Sequence, residues 1–196
     1  MLAAVILSGG ASQRMGSPKA LLAYQGRPFL EHLLEVTTHP KIGVRRVVLG
    51  KHAEPISSAV RVAPDEIVVN ERWEQGQLSS IQAAIRSLPA GTDGLILFLI
   101  DHPLISAELV SDLIEQFYSP QNAGATKIVL PLFRGQRGHP VIFSANLYEE
   151  LLAAPLDKGA REVVWVHAAD VLPVETSEQG CVLNLNDPEA MQRVVS

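Results

Sequence analysis

Five short apolar runs, at residues 2–7, 46–49, 67–69, 95–100 and 128–130, constrain this chain more than any other feature. They are rich in Val, Ile and Leu and do not alternate with polar residues, the pattern of strands buried on both faces. Helical spacing appears between them. Leu78, Ile81, Ile85 and Leu88 recur at intervals of three and four after the turn signal at Gly76. Leu109, Val110, Leu113, Ile114 and Phe117 do the same, with Ser106 placed to cap and Glu108 in the first turn. Strand–helix alternation of this kind predicts an α/β fold: a doubly wound, mostly parallel sheet.

The alternation loosens after residue 130. In "LPLFRGQRGHPVIF" two apolar runs are joined by Arg134-Gly135-Gln136-Arg137-Gly138, which reads as an inserted β-hairpin. Helices near 146–153 and 160–167, a strand pair near 171–174 and 182–185, and a terminal helix starting at Asp187-Pro188-Glu189 complete the expected order. No repeat or long linker divides the 196 residues, so a single domain spanning 1–196 is expected.

Composition narrows the partners. The net charge of −5 gives no global field for nucleic acid, so any polyanion is held by local groups. The single cysteine, Cys181, rules out an intrachain disulfide framework and a cysteine-based zinc site, and beside Val182 and Leu183 it reads as a small core residue. No run approaches the length of a membrane span, and no signal peptide precedes the first strand. A soluble cytoplasmic protein is the expectation.

Two features carry chemistry. The first strand of "AAVILSGGASQRMGSPKALLAYQG" runs through Leu7 and Ser8 into Gly9 and Gly10, with Arg14 and Lys19 shortly after. Glycines allow backbone N–H groups to close around an anion; Arg14 offers a planar fork and Lys19 a mobile point charge. That combination suits a polyphosphate, although neither G-x-x-x-x-G-K-[ST] nor G-x-G-x-x-G is present. The second feature is Asp101, directly after the apolar run of "GLILFLIDHPLI". A carboxylate at the end of a buried strand is costly unless paired, hydrogen-bonded or metal-bound. Closing a turn before Pro103 is one use for it. With the glycine loop at the same sheet edge, binding Mg²⁺ together with substrate phosphates is the stronger reading.

Five motifs, "LSGGASQRMGSPKALL", "VVNERWEQGQLSSIQAAI", "LFLIDHPLI", "RGQRGHPVIF" and "LDKGAREVV", occur in the order seen in MobA-like nucleotidyltransferases. The chain resembles the molybdenum cofactor cytidylyltransferase branch of that family over nearly its whole length. The resemblance implies a Rossmann-like nucleotidyltransferase fold and an NTP bound at Leu7, Ser8, Gly9, Gly10, Arg14 and Lys19. It further implies Mg²⁺ on Asp101 and a phosphate of a molybdopterin-type acceptor attacking the α-phosphorus to release pyrophosphate. Asn70, Ser79 and Ser80 match the family segment near base and ribose; Arg137, Gly138, His139 and Lys158 match loops near the acceptor. Asn184 and Asn186 stand where the cytidylyl branch carries acids; an amide oxygen such as that of Asn186 still ligates Mg²⁺. Gly9-Gly10 resembles the guanylyl branch instead, since the cytidylyl pattern has Ala first, and the missing methyl leaves room for a purine. CTP and GTP therefore both stand as donors. The alternatives are another phosphorylated acceptor, or a non-catalytic chaperone handing molybdopterin to a molybdoenzyme partner.

Overall fold

The computed structural model describes residues 1–10, 17–122, 124 and 126–186; Arg14 and the helix expected from Asp187 lie outside them. Strand β1 (Leu2–Ser8) is buried at all seven positions. A short ribbon, β2 (Ala23–Tyr24) and β3 (Arg27–Pro28), follows, closed by Gln25 and Gly26, both at positive φ. Helix α1 (Phe29–Val36), β4 (Ile42–Leu49), α2 (Ala53–Ala59), β5 (Ile67–Val69), α3 (Gln77–Ser87), β6 (Gly94–Leu99) and α4 (Ala107–Tyr118) then alternate as expected. After them come β7 (Ile128–Phe133), β8 (Gln136–Arg137), β9 (Val141–Ser144), α5 (Tyr148–Ala153), α6 (Arg161–Val166) and β10 (Val171–Glu175).

The main sheet runs β10-β7-β9-β6-β1-β4-β5, with β8 beside β7. β1 lies parallel to both β4 and β6, β4 is parallel to β5, and β7 is parallel to β10; β9 enters antiparallel, between β6 and β7. The absence of alternation in β1 has a direct cause. Leu2, Ala4 and Ile6 join one core cluster with Leu30 and Leu33 of α1 and Leu109, Val110, Leu113 and Ile114 of α4. Ala3, Val5 and Leu7 join the other with Leu78, Ile81 and Ile85 of α3 and Leu151 of α5. Each large aliphatic side chain so buried contributes about 1.5–3 kcal/mol relative to exposure.

The inserted hairpin is present: β7 and β8 pair antiparallel through a turn at Arg134 and Gly135, both at positive φ. Ser106 caps α4, its Oγ accepting the Leu109 N–H at 3.1 Å. Cys181 is buried in the core. The strand expected at 182–185 is not there. A 3-10 turn at Gln179–Cys181 comes just before, and the segment is bonded to loops: the Leu185 N–H donates to the Asp101 carbonyl at 2.8 Å, and the Cys181 carbonyl accepts the His139 N–H at 2.8 Å. β4 begins four residues before the run at 46–49 that revealed it, because Gly43 and Arg45 also belong to it. Arg45 pairs with Glu66 at 2.9 Å, and Arg46 donates to Ser87 Oγ at 3.2 Å. No helix among the described residues is long and apolar enough to cross a membrane.

Away from these features, His167 ties α5 to the start of β10. Its Nε2 meets Glu150 at 2.7 Å and its Nδ1 meets Asp170 at 3.1 Å, with the Lys127 ammonium 3.3 Å from both Nδ1 and Asp170. The hydrogen bond to Glu150 first, then that to Asp170, raises the His167 pKa against the opposing effects of burial and Lys127. A raised folded-state value means that this contribution is complete below the ordinary histidine pKa and disappears as pH rises through the folded value. Thermal melts from pH 5 to 9 are expected to show His167→Gln destabilised at the acid end and converging on the parent at the alkaline end. Parallel curves would remove His167 from the pH response.

Candidate active site

Parallel pairing brings four loops to one edge of the sheet. Ser8 lies opposite Leu49, Leu49 opposite Val69, and Leu7 opposite Leu99. Gly9, Gly50, Asn70 and Asp101 therefore all leave the carboxyl ends of adjacent strands, where open α/β sheets bind ligands. A cleft of about 430 Å³ opens there. It is lined by Leu7, Ser8, Gly9, Gly10, Lys19, Leu99, Ile100, Asp101 and Asn186 together with Trp73, Gly76, Gln77 and Ser80.

The glycine turn and the β4 loop touch. A Cβ on Gly50 would collide with the Gly9 carbonyl and lie 2.7 Å from Trp73 Cβ; one on Gly9 would lie 3.0 Å from Ser80 Oγ. Gly50 is thus required by space, and the sequence reading passed over it because nothing in a lone Gly-Lys pair shows what approaches. Gly50→Ala is expected to lower the melting temperature by roughly 3–10 °C and to weaken nucleoside triphosphate binding about tenfold or more, by displacing the Gly9 turn. Differential scanning calorimetry and a binding titration would check it; a variant indistinguishable from the parent would show that the two loops part freely.

Lys19 opens a 3-10 turn, Lys19–Leu21, which buries Ala20 and aims the ammonium back over the sheet edge. Its Nζ lies 3.5 Å from Asp101 Oδ2 and donates to Asn186 Oδ1. The Lys19 and Asp101 side chains keep 17% and 19% of their surface exposed, enough for a ligand to reach them. A cation held between a carboxylate and an amide oxygen, both hard oxygen donors, is the arrangement a divalent ion would take over, so these residues fit Mg²⁺. Among the described residues no group of three or more His, Cys, Asp or Glu forms a self-sufficient metal site, so further ligands would come from substrate phosphates.

Behind Asp101 two imidazoles, His102 and His139, meet at a 50° tilt with centroids 5.1 Å apart, each with its Nδ1 buried and unpartnered. Burial lowers the His102 pKa, the nearby Asp101 opposing it; burial, then the neighbouring His102, pushes His139 down to about 4. Both rings are therefore neutral at pH 7.

The remaining expected site residues separate into two groups. Asn70 and Ser79 do not line the cleft. The Asn70 amide donates to Ser79 Oγ at 2.8 Å and Ser80 Oγ at 3.0 Å, its Oδ1 accepts the Arg72 N–H at 3.0 Å, and Ser79 Oγ donates to the Arg72 and Gly76 carbonyls. They brace the loop that presents Trp73 and Ser80. Gln82, next along the same helix, is buried and donates to the Leu151 and Leu152 carbonyls at 3.1 Å. On the acceptor side, Gly138 packs against Cys181, where a Cβ would lie 2.6 Å from the Cys181 carbonyl oxygen. Arg137 is exposed on β8, and Lys158 is exposed and paired with Glu162 at 3.2 Å; neither lines the cleft. Trp73, Gln77 and Gly76, whose φ of 93° starts α3, are cleft residues the sequence reading did not assign. An aromatic ring beside a glycine in "ERWEQG" was the available signal.

A cleft at the carboxyl edge of a parallel sheet, with a glycine turn, a lysine and a lone aspartate converging on it, defines a nucleotide-handling α/β enzyme. The chain belongs to the MobA-like NTP transferase family, whose domain matches residues 4–171. It is 30% identical over 195 residues to nicotine blue oxidoreductase of Paenarthrobacter nicotinovorans, covering 97% of this chain and 95% of that one. It is 29% identical over 165 residues to a probable molybdenum cofactor guanylyltransferase of Bacillus cereus, covering 83% and 77%. Among solved structures, a Mycobacterium tuberculosis protein superposes with a TM-score of 0.81 at 25% identity, covering 100% of this chain and 98% of that one. The manganese complex of that protein superposes at 0.76 and 24% identity, covering 98% and 97%.

Proposed function

We propose that this nucleotidyltransferase moves a nucleoside monophosphate, GMP in preference to CMP, from an NTP to the phosphate of a molybdopterin-type acceptor. The observation that carries the reading is the meeting of Lys19, Asp101 and Asn186 beside the Gly9 turn. An acceptor phosphate oxygen attacks the α-phosphorus, a new P–O bond forms, the bond from the α-phosphorus to the bridging oxygen breaks, and pyrophosphate leaves with the electron pair. Such a displacement needs alignment and neutralised charge, not a covalent nucleophile. The Gly9 and Gly10 backbone receives phosphate oxygens, and Lys19, on its flexible stem, balances charge that develops on the leaving group. Arg14 is assigned the same phosphates from the sequence. Asp101 and Asn186 would hold the divalent ion, Mg²⁺ or Mn²⁺, which supplies further positive charge to the phosphates when bound.

On the acceptor side, His139 remains the preferred contact, since its ring touches His102 and His102 Nε2 is 4.0 Å from Asp101. Arg137 and Lys158 would serve only as outlying cations.

Two points favour guanine over the cytosine that the motif resemblance first implies. The molybdenum cofactor relatives are named guanylyltransferases. At the position where the cytidylyl pattern has Ala, Gly9 also keeps the turn close against Ser80, since a Cβ there would lie only 3.0 Å from Ser80 Oγ. Pyrophosphate release is expected from GTP with Mg²⁺ and molybdopterin, exceeding that from CTP, ATP or UTP. Release from none of the four, with molybdopterin or with sugar and polyol phosphates, would overturn the transferase reading; retained molybdopterin binding in that case would favour a chaperone serving a molybdoenzyme partner.

A second reading rests on the near-complete alignment with nicotine blue oxidoreductase. There the same cleft would hold a nucleotide cofactor acting as hydride donor. Oxidation of a reduced nicotinamide nucleotide by nicotine blue, without pyrophosphate release from any NTP, would favour it.

A further inference from the structure

We infer that Trp73 is the stacking platform for the nucleobase, an assignment that rests on the nucleotide reading above and adds a residue to it. The cleft is divided by chemistry. Among its lining residues Lys19 and Asp101 carry charge and Asn186 an amide, whereas Trp73, Gly76 and Ser80 are uncharged. A nucleoside triphosphate is divided the same way, a polyanion joined through ribose to a flat uncharged base. With the phosphates on Lys19 and the divalent-ion ligands, the uncharged lining packed beside the Gly9 turn is left for the base. Trp73 is the one aromatic ring among the described lining residues.

The ring is seated rather than loose. Its Cβ lies in the space left by the absent side chains of Gly50 and Gly9, at 2.7 Å and 3.9 Å from where their Cβ atoms would be. Its backbone belongs to the 3-10 turn Trp73–Gln75, preceded by Arg72, whose N–H and carbonyl are both held by the Asn70–Ser79 brace. The Lys51 ammonium, from outside the cleft, lies 5.9 Å from the ring centroid, within cation–π range. Trp73 nevertheless remains half-buried, leaving ring surface to be covered. Every base has a π-face, so stacking supplies affinity while the Ser80 hydroxyl and neighbouring backbone read the base edge.

The chain has two tryptophans, and Trp165 is 62% exposed on α6, outside the cleft. Trp165→Phe therefore leaves Trp73 as the only indole reporter in a folded protein. Saturating GTP or CTP is expected to quench its emission, whereas tripolyphosphate, which has no base, binds without doing so. By calorimetry Trp73→Ala is expected to weaken GTP about 5- to 150-fold while leaving tripolyphosphate within twofold, and Trp73→Phe to recover most of the loss. Equal losses for GTP and tripolyphosphate would reduce Trp73 to a support for the glycine turn and overturn the inference. So would saturable GTP binding with unchanged emission in the Trp165→Phe protein. Failure of GTP and CTP to bind the parent at all would instead remove the nucleotide reading, and this inference with it.

Discussion

Asp101→Asn is expected to lower nucleotidyl transfer by at least about a hundredfold with little change in thermal stability, the scale for losing one strong transition-state contact. The substitution keeps the size of the side chain and removes its charge. The main-chain role survives, because the Asp101 carbonyl still accepts the Leu185 N–H at 2.8 Å. What disappears is the only carboxylate lining the cleft among the described residues, and with it the negative charge that Lys19 or a divalent ion faces. Pyrophosphate release under saturating NTP and metal, with a melt run alongside, measures both halves. A variant that turns over like its parent would place the reacting phosphates elsewhere.

Lys19→Ala should cost a comparable factor, again at least about a hundredfold in kcat/KM, because it removes a mobile positive charge from the phosphates. A second readout moves the opposite way. The Lys19 ammonium sits between Asp101 Oδ2 and Asn186 Oδ1, where it competes with any divalent ion for those oxygens. Without nucleotide, Lys19→Ala is therefore expected to bind Mn²⁺ more tightly than the parent while catalysing less. Manganese titration followed by water-proton relaxation would separate the two effects. Weaker binding of Mn²⁺ by the variant would show that lysine supports the ion pocket instead of occupying it.

Much of this was legible in the residues, for physical reasons. Leu2 to Leu7 do not alternate because even and odd positions feed different cores, which also fixes the parallel neighbours and hence the edge at which Gly9 and Asp101 meet. Ser106 and the Arg134-Gly135 turn announced themselves through local chemistry. Other features depend on partners distant in sequence. Residues 42–45 pass for loop until Glu66 neutralises Arg45. Residues 182–185 look like a strand, yet Leu185 is held by the loop at Asp101 and Val182 by the preceding turn at Gln179. Asn70 and Ser79 have the polarity of ligands and spend it on each other. Trp73 and Gly50 matter through a packing contact that no spacing rule contains.

The stretch from Glu178 to Asn186 has a consequence for anyone trimming the protein. Glu178 accepts from the Ser106 N–H at 2.7 Å and from its hydroxyl, Gly180 lies flush against the Leu104 carbonyl, and Leu185 is bonded to Asp101. These nine residues buckle the far end of the sheet to the rim of the cleft, and they lie beyond residue 171, where the family match ends. A fragment cut at that boundary would keep β1, β4 and β6 but surrender Asn186 and the tether beneath Asp101. Expression designs drawn from the matched region alone would thus yield a scaffold with an unfastened reaction centre.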